Sequence, residues 1–131
     1  MNHLLVDYLT MSFKFSVDFK AKMLEGIDEK ECVNLSANFS QYFKNWIIEK
    51  LCLPQDDLQN IKSRYGFGEC LYYDGISIHV NGDMLIMEMS GKGCRTCEDL
   101  NKGWDWYIFI HSFDDMICYL NETRDPAPVH I

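Results

Sequence analysis

The stretch Gly68–Gly91, "GECLYYDGISIHVNGDMLIMEMSG", decides the fold. Its two Asx-Gly dipeptides, Asp74-Gly75 and Asn81-Gly82, interrupt runs of apolar and aromatic residues, and each supplies residues that tolerate the positive φ of a tight hairpin turn. Three antiparallel strands in a meander follow. With both turns as two-residue loops, Tyr73 faces Ile76, Leu71 faces Ile78, Val80 faces Asp83, Ile78 faces Leu85 and Ile76 faces Met87. Side chains alternate along a strand, so one surface carries Leu71, Tyr73, Ile76, Ile78, Val80, Leu85, Met87 and Met89, the core side. The other carries Cys70, Tyr72, Ser77, His79, Met84, Ile86, Glu88 and Ser90. On this half-polar face Glu88 and His79 stand without being direct neighbours.

Working outward, "LLVDYLTMSFKF" (residues 4–15) has Tyr8, Met11, Phe13 and Phe15 partly in period two and reads as a further strand. Residues 17–33 carry mixed signals and are expected to form short helix and loop. Leu35, Phe39, Tyr42, Phe43, Trp46, Ile47 and Leu51 recur at three- and four-residue steps, which lines them along one side of a helix. "PQDDLQNIKSR" (54–64) predicts a second, short helix, with Pro and Asp in its first turn and Lys62 and Arg64 in its last. Beyond the meander, "RTCEDLNKG" (95–103) predicts a short helix. Trp106, Phe109, Ile110, Phe113, Ile117 and Leu120 predict a second amphipathic helix that closes near "NETRDPAP", and the final "VHI" reads as the start of a strand.

The expected fold class is α+β: an antiparallel sheet, made of the N-terminal strand plus the three-stranded meander, with helices packed on one face and the opposite face free. The arrangement is ferredoxin-like or TATA-binding-protein-like. Residues 1–125 form a single domain on this reading, and 126–131 begin a linker or strand leading into something longer.

A chain of 131 residues with 47% hydrophobic content can build one real core. No apolar run reaches membrane-span length, and the N-terminus lacks the basic start and cleavage site of a signal peptide, so the sequence predicts a cytoplasmic protein with no membrane partner. Six cysteines in such a chain read as reduced thiols. The net charge of -8 is unfavourable for contact with phosphate. Acid concentrates in residues 28–57 and 105–125, however, whereas Lys62, Arg64, Lys92, Arg95 and Lys102 bracket the middle, and a fold that gathers those five has a basic surface.

The chemistry-bearing candidates centre on "EMSGKGCR", Glu88–Arg95. A nucleotide-hydrolysing P-loop is excluded, because four residues must separate the first glycine from Gly-Lys and a Ser or Thr must follow. Two readings stay open. Ser90, Gly91 and Gly93 could present free amides at a helix start, with Lys92 and Arg95 beside them, to hold a nucleic-acid backbone. Alternatively the glycines serve only a strand-to-helix connection. Cys94 and Cys97 form C-x-x-C without a second pair at zinc spacing and read as incidental thiols. Glu88 and His79 on one sheet face could hold a divalent metal or move a proton. Trp106 belongs to the core stripe, and no tyrosine is flanked by a base that would mark it as a nucleophile.

The run "YGFGECLYYDGISIHVNGDMLIMEMSGKGCR" resembles the N-terminal region of the replication initiation factor family, the rolling-circle plasmid initiators and related relaxases of conjugative transposons. The resemblance rests on Tyr65-Gly66, Tyr73-Asp74-Gly75, Asn81-Gly82 and above all Glu88 to Arg95, with support from the opening "VDYLTMSFKF". It leaves residues 17–60 uncovered. It implies an enzyme that nicks and rejoins origin DNA through a 5'-phosphotyrosine intermediate, assisted by Mg or Mn. The family's nucleophilic tyrosine and acidic motif lie further along than this chain extends, so no catalytic residue is expected here and the missing part would be the catalytic domain. What carries over is the Glu88–Arg95 block, as a DNA-facing loop of Ser90, Gly91, Lys92, Gly93 and Arg95 with Glu88 as a metal ligand of the full protein; Lys62, Arg64 and Lys102, from the basic set read above, complete the expected DNA-binding residues. The implied partners are origin DNA, a second copy of the chain and a helicase. The rival expectation, from a different class, is a protein-interaction or dimerisation module without direct DNA contact, pairing through an edge of the meander.

Overall fold

The computed structural model describes residues 6–113 and the backbone of 117–123. In chain order the elements are β1 (Tyr8–Lys14), α1 (Val17–Met23), α2 (Glu29–Ala37), α3 (Phe39–Lys50), a 3-10 turn (Gln55–Asp57), β2 (Gln59–Asn60), β3 (Glu69–Tyr73), β4 (Ile76–Val80), β5 (Met84–Met89), α4 (Gly91–Leu100), α5 (Trp106–His111) and β6 (Ile117–Thr123). The sheet runs in the order β2-β3-β4-β5-β1-β6 with every neighbour antiparallel. The fold is thus α+β, with the expected N-terminal strand joined to the expected meander. Strands β4, β5, β1 and β6 have the split βαβ order of ferredoxin-like domains, and β3 and β2 extend the sheet beyond β4.

The alternation read from sequence sets the core. Leu9, Met11 and Phe13 of β1, Ile76 and Ile78 of β4, and Leu85, Met87 and Met89 of β5 are all buried on the helical side. The helices supply an aromatic layer, in which Phe13 meets Phe43 and Phe113 edge-to-face at 5.0 Å each. Phe19 meets Phe43 at 5.2 Å. Such pairs contribute roughly 0.5–1.5 kcal/mol each beyond their buried area. Three helix starts are fixed by side-chain caps that satisfy otherwise orphaned amides: Ser16 accepts from Phe19 N, Ser90 from Gly93 N, and Asp105 from Ile108 N.

Several expectations are corrected. Tyr73↔Ile76 and Leu71↔Ile78 hold, and Asp74 and Gly75 take φ of 42° and 93° at the first turn. The second hairpin pairs Val80 with Leu85, Ile78 with Met87 and Ile76 with Met89. The Asn81 amide donates to Met84 O at 3.0 Å, so Gly82-Asp83 rather than Asn81-Gly82 are the central residues. The Asn81 side chain explains the choice, because its Oδ1 accepts from the amides of Asp83 and Met84 and builds the turn one residue later. A two-residue shift leaves every side chain on its expected face.

The stripe from Leu35 to Leu51 is divided: α2 ends at Asn38, whose φ of -135° and ψ of 51° are not helical, and α3 starts at Phe39. "PQDDLQNIKSR" is not a helix but a 3-10 turn followed by β2, with Ile61 N extending the ladder to Cys70 O. α4 begins at Gly91, four residues ahead of the expected start, because Ser90 caps it. The amphipathic helix expected to pass through Ile117 and Leu120 stops at His111, and Ile117–Thr123 instead pairs with β1. β1 would otherwise be an open edge, and this tertiary demand outweighs the local period. The expected "VHI" strand lies outside the described residues.

Candidate functional site

The sheet face away from the helices is not wholly free. Residues 61–68, between β2 and β3, fold back over it, burying Ser63 and setting the Tyr65 ring edge-on against His79 at 4.8 Å. On this face Thr10, Ser12, Cys70, His79 and Ile86 are all buried. Two cross-strand rows organise the face: Thr10, Glu88, Ser77 and Tyr72 in one, and Ser12, Ile86, His79 and Cys70 in the next. Glu88 and His79 lie diagonally across β5 and β4, within reach of long side chains.

Glu88 is the hub. Its Oε1 accepts from His79 Nε2 at 2.9 Å and Arg64 Nε at 3.1 Å, and its Oε2 accepts from Tyr65 Oη at 2.7 Å, from an Arg64 terminal nitrogen and, at 3.4 Å, from Tyr8 Oη. The register shift brought Glu88 two residues closer to His79 than the sequence implied, so the two are hydrogen-bonded rather than separated. Burial by itself pushes the Glu88 carboxyl up, but the bonds from Arg64 and Tyr65, the Arg64 charge and the His79 bond outweigh it, bringing it down to about 2. Arg64 is raised in turn, first by its bond to Glu88. Tyr65 is pushed up to about 12 by burial and by donating to Glu88, the reverse of what an activated nucleophile needs.

Burial lowers His79 and outweighs the opposing effect of Glu88, which keeps the imidazole neutral at pH 7. Ionised Glu88 only accepts, so His79 Nε2 carries the ring proton and Nδ1 accepts from Ser63 Oγ at 2.8 Å. Ser63 Oγ also accepts from the Tyr65 amide at 3.2 Å. The Ser63-His79-Glu88 order has the connectivity of a nucleophilic relay. Ser63 is only 5% exposed, however, and the chain of bonds instead fixes the loop that carries Arg64.

Beside this network lies a cleft of about 420 Å³ lined by Tyr8, Arg64, Tyr72, Gly75, Ser77, Glu88 and Ser90. Ser77 Oγ and the second terminal nitrogen of Arg64 have no partner among the described residues. Tyr72 Oη accepts from the Gly75 amide at 2.9 Å and keeps its own proton to donate. Hydroxyl and guanidinium donors therefore face one another across a space the size of a small ligand. A larger cavity of about 520 Å³, lined by Lys50, Cys52, Lys102, Trp104 and Ile108 among others, lies at the helix ends, away from the Glu88 network, and there Trp104 Nε1 has no hydrogen-bond partner among the described residues.

Of the residues expected to bind DNA, Arg64 and Ser90 line the cleft, together with Glu88. Lys92 starts α4 exposed and pairs with Asp74 at 2.9 Å. The Arg95 guanidinium is engaged by Val6 O, Asp7 and Glu98. Lys62 is exposed, and Lys102 belongs to the other cavity. Gly93 packs on Gly75 so closely that an added Cβ would sit 2.1 Å from Gly75 O, and an added Cβ on Gly91 would lie 3.3 Å from Asp7 O. Gly93 thus serves the docking of α4 onto the β3–β4 turn, and Gly91 the approach of α4 to the backbone just before β1. Cys94 and Cys97 are buried with their thiols raised by burial.

Tyr8, Ser63, Tyr65, Tyr72 and Ser77 were not singled out as site residues. The alternation placed Tyr72 and Ser77 on the correct face, but nothing local signals that residues 61–68 fold over it. Among the described residues no group of three or more His, Cys, Asp and Glu is arranged to hold a metal. The surroundings of Glu88 do not fit one either, since both its oxygens already accept from His79, Tyr65 and Tyr8 as well as Arg64, and these neighbours are donors rather than further oxygen ligands for a divalent ion. No helix among the described residues is long and apolar enough to cross a membrane. The chain matches no family model, no curated protein and no solved structure.

Proposed function

We propose that the chain is the N-terminal DNA-binding and assembly domain of a rolling-circle replication initiator or relaxase, acting in the cytoplasm on origin DNA. On this reading it contacts a phosphodiester at the sheet-face cleft. The observation that carries it is the meeting of Arg64, Ser77 Oγ and the Tyr72 hydroxyl on one cleft, with donors still available to an anion. Arg64 supplies the charge, and the neutral hydroxyls add donors without the cost of desolvating further ions. Lys62 is exposed two residues from Arg64 and extends the positive field along the same loop. Lys92 reaches DNA only by leaving Asp74. The divalent metal of a nicking reaction belongs with the catalytic part of the full protein rather than at Glu88, and a helicase would bind elsewhere.

The acidic total favours a second reading. With a net charge of -8 and with Lys92 and Arg95 already matched by Asp74, Asp7 and Glu98, a protein-interaction or dimerisation role suits the charge distribution better than broad DNA contact. Titration of a fluorescent DNA oligonucleotide between about 50 and 200 mM salt separates the two readings. A DNA-binding domain loses affinity steeply with salt, and Arg64→Ala flattens the logarithmic slope by about one unit. Absence of DNA binding at the low-salt end, together with concentration-dependent dimerisation, overturns the first reading in favour of the second.

A further inference from the structure

We infer that Glu88 is a built-in competitor for Arg64, so that the resting cleft is latched by its own carboxylate and a ligand phosphate opens it by taking over the guanidinium. The inference rests on the phosphodiester reading above and adds how that site is regulated. A carboxylate and a phosphate present the same pair of acceptor oxygens to the arginine fork, so one can replace the other at Arg64 without a change of geometry. The two ends of the pair differ in a way that permits release. The Arg64 side chain is 63% exposed, whereas that of Glu88 is 12% exposed. The guanidinium is therefore the partner that can swing.

Release does not strand a buried charge. When Arg64 leaves, Glu88 keeps His79 Nε2 on Oε1, and Tyr65 Oη and Tyr8 Oη on Oε2. Three donors remain where there had been five, which avoids the penalty of an unsatisfied buried carboxylate. The backbone under Arg64 need not move. Arg64 also donates to Tyr65 Oη at 2.8 Å and lies over that ring, contacts it gives up together with Glu88; Ser63 stays tied to His79, and Tyr65 keeps its ring contact with His79 and its bond to Glu88, so the residues on either side of Arg64 remain anchored. Rotation about the Arg64 side chain alone turns the fork from Glu88 toward Ser77 and Tyr72. The cleft is thus selective for groups that outcompete a carboxylate, which favours phosphate over carboxylate ligands.

The test uses Glu88→Gln, which keeps the side-chain shape and an acceptor oxygen but removes the competing charge. Binding of a short oligodeoxythymidylate and of inorganic phosphate is measured for the wild type and the variant at fixed low salt. The variant is expected to bind both about two- to fivefold more tightly, the range that loss of a partly exposed ion pair supplies. In parallel, the Arg64 Nε–H resonance of the wild type is followed during phosphate titration, so that a poorly folded variant does not decide the outcome. The resonance is expected to shift while the Trp106 indole resonance stays in place. Oligonucleotide binding that is equal or weaker in a folded Glu88→Gln protein overturns the latch and leaves the DNA-binding reading standing. A wild-type Arg64 resonance that is indifferent to saturating phosphate does the same. Failure of both proteins to bind either probe overturns both.

Discussion

Gly93→Ala puts two physical effects of opposite sign against each other. Gly93 lies in the first turn of α4, where replacing glycine by alanine ordinarily stabilises a helix by roughly 0.8–1.0 kcal/mol. The structure predicts the reverse. The new Cβ would stand 2.1 Å from Gly75 O and 2.6 Å from Gly75 C, both backbone atoms that cannot turn aside. The β3–β4 turn is also held where it is: Ser90 N donates to Gly75 O at 3.0 Å, and Thr96 Oγ1 donates to Asp74 O at 3.0 Å. Relief of the overlap needs a displacement on the order of 1 Å between helix and turn, judged against ordinary van der Waals separation. That movement weakens these hydrogen bonds, each worth about 1 kcal/mol, and the packing of α4 on the sheet. The net expectation is a loss of about 2–4 kcal/mol. In equilibrium urea unfolding the midpoint should fall by about 1–2 M. Gly82→Ala serves as the control, because nothing lies within 4 Å of its added Cβ, and it should change stability by less than about 0.5 kcal/mol. A Gly93→Ala midpoint at or above that of the wild type refutes the close-contact argument and returns the glycine to a role in ligand binding.

Acid should destabilise the fold in two windows, read from urea midpoints against pH. His79 is lowered from 6.5 in the native state, so the unfolded chain takes up its proton first and stability begins to fall as pH drops below about 6.5; His79→Gln should remove this part. Glu88 is lowered from 4.5 to about 2, so its contribution is fully present above about 4.5 and disappears as pH falls toward about 2. Lys92→Ala removes an exposed pair and should leave the urea midpoint unchanged, whereas Arg95→Ala, which loses Val6 O, Asp7 and Glu98, should cost about 1–2 kcal/mol by thermal or urea unfolding. In the salt titration, Arg95→Ala should leave the slope of DNA binding unchanged where Arg64→Ala flattens it, since Arg95 is committed within the domain. Added manganese should produce no thermal shift, and a shift abolished by Glu88→Gln would count against the exclusion of a metal from that carboxylate.

The meander was legible because Asp74-Gly75 and the alternation of Leu71, Tyr73, Ile76 and Ile78 are local signals that agree with one another. The second hairpin slipped by two residues because the Asn81 side chain, which no dipeptide rule includes, selects the turn. Ile117 and Leu120 misled for a different reason. Helical spacing and strand burial coincide over short apolar runs, and the partner that decides, β1, lies more than a hundred positions away. At the site, the sequence indicated the face, the hub Glu88 and its companion His79, but not the bonds from Arg64, Tyr65 and Tyr8. Arg64 and Tyr65 reach Glu88 only because residues 61–68 fold over the sheet, and Ser63 pins that segment through a buried histidine. For Gly93 the structure shows close packing on Gly75, and a ligand role for the glycine-lysine-glycine run is a separate matter, because close backbone packing and phosphate cradling make the same compositional demand.

The place of β1 between β5 and β6 has a consequence for how the molecule is made. Its pairing partners, residues 84–89 and 117–123, are translated long after it, so Leu9, Met11 and Phe13 stay without their neighbours while most of the polypeptide leaves the ribosome. The β3–β5 ribbon closes through short loops and can assemble as soon as it is synthesised. The ribbon's contacts are local and those of the early strand long-range, so completion of the core waits on the insertion of β1.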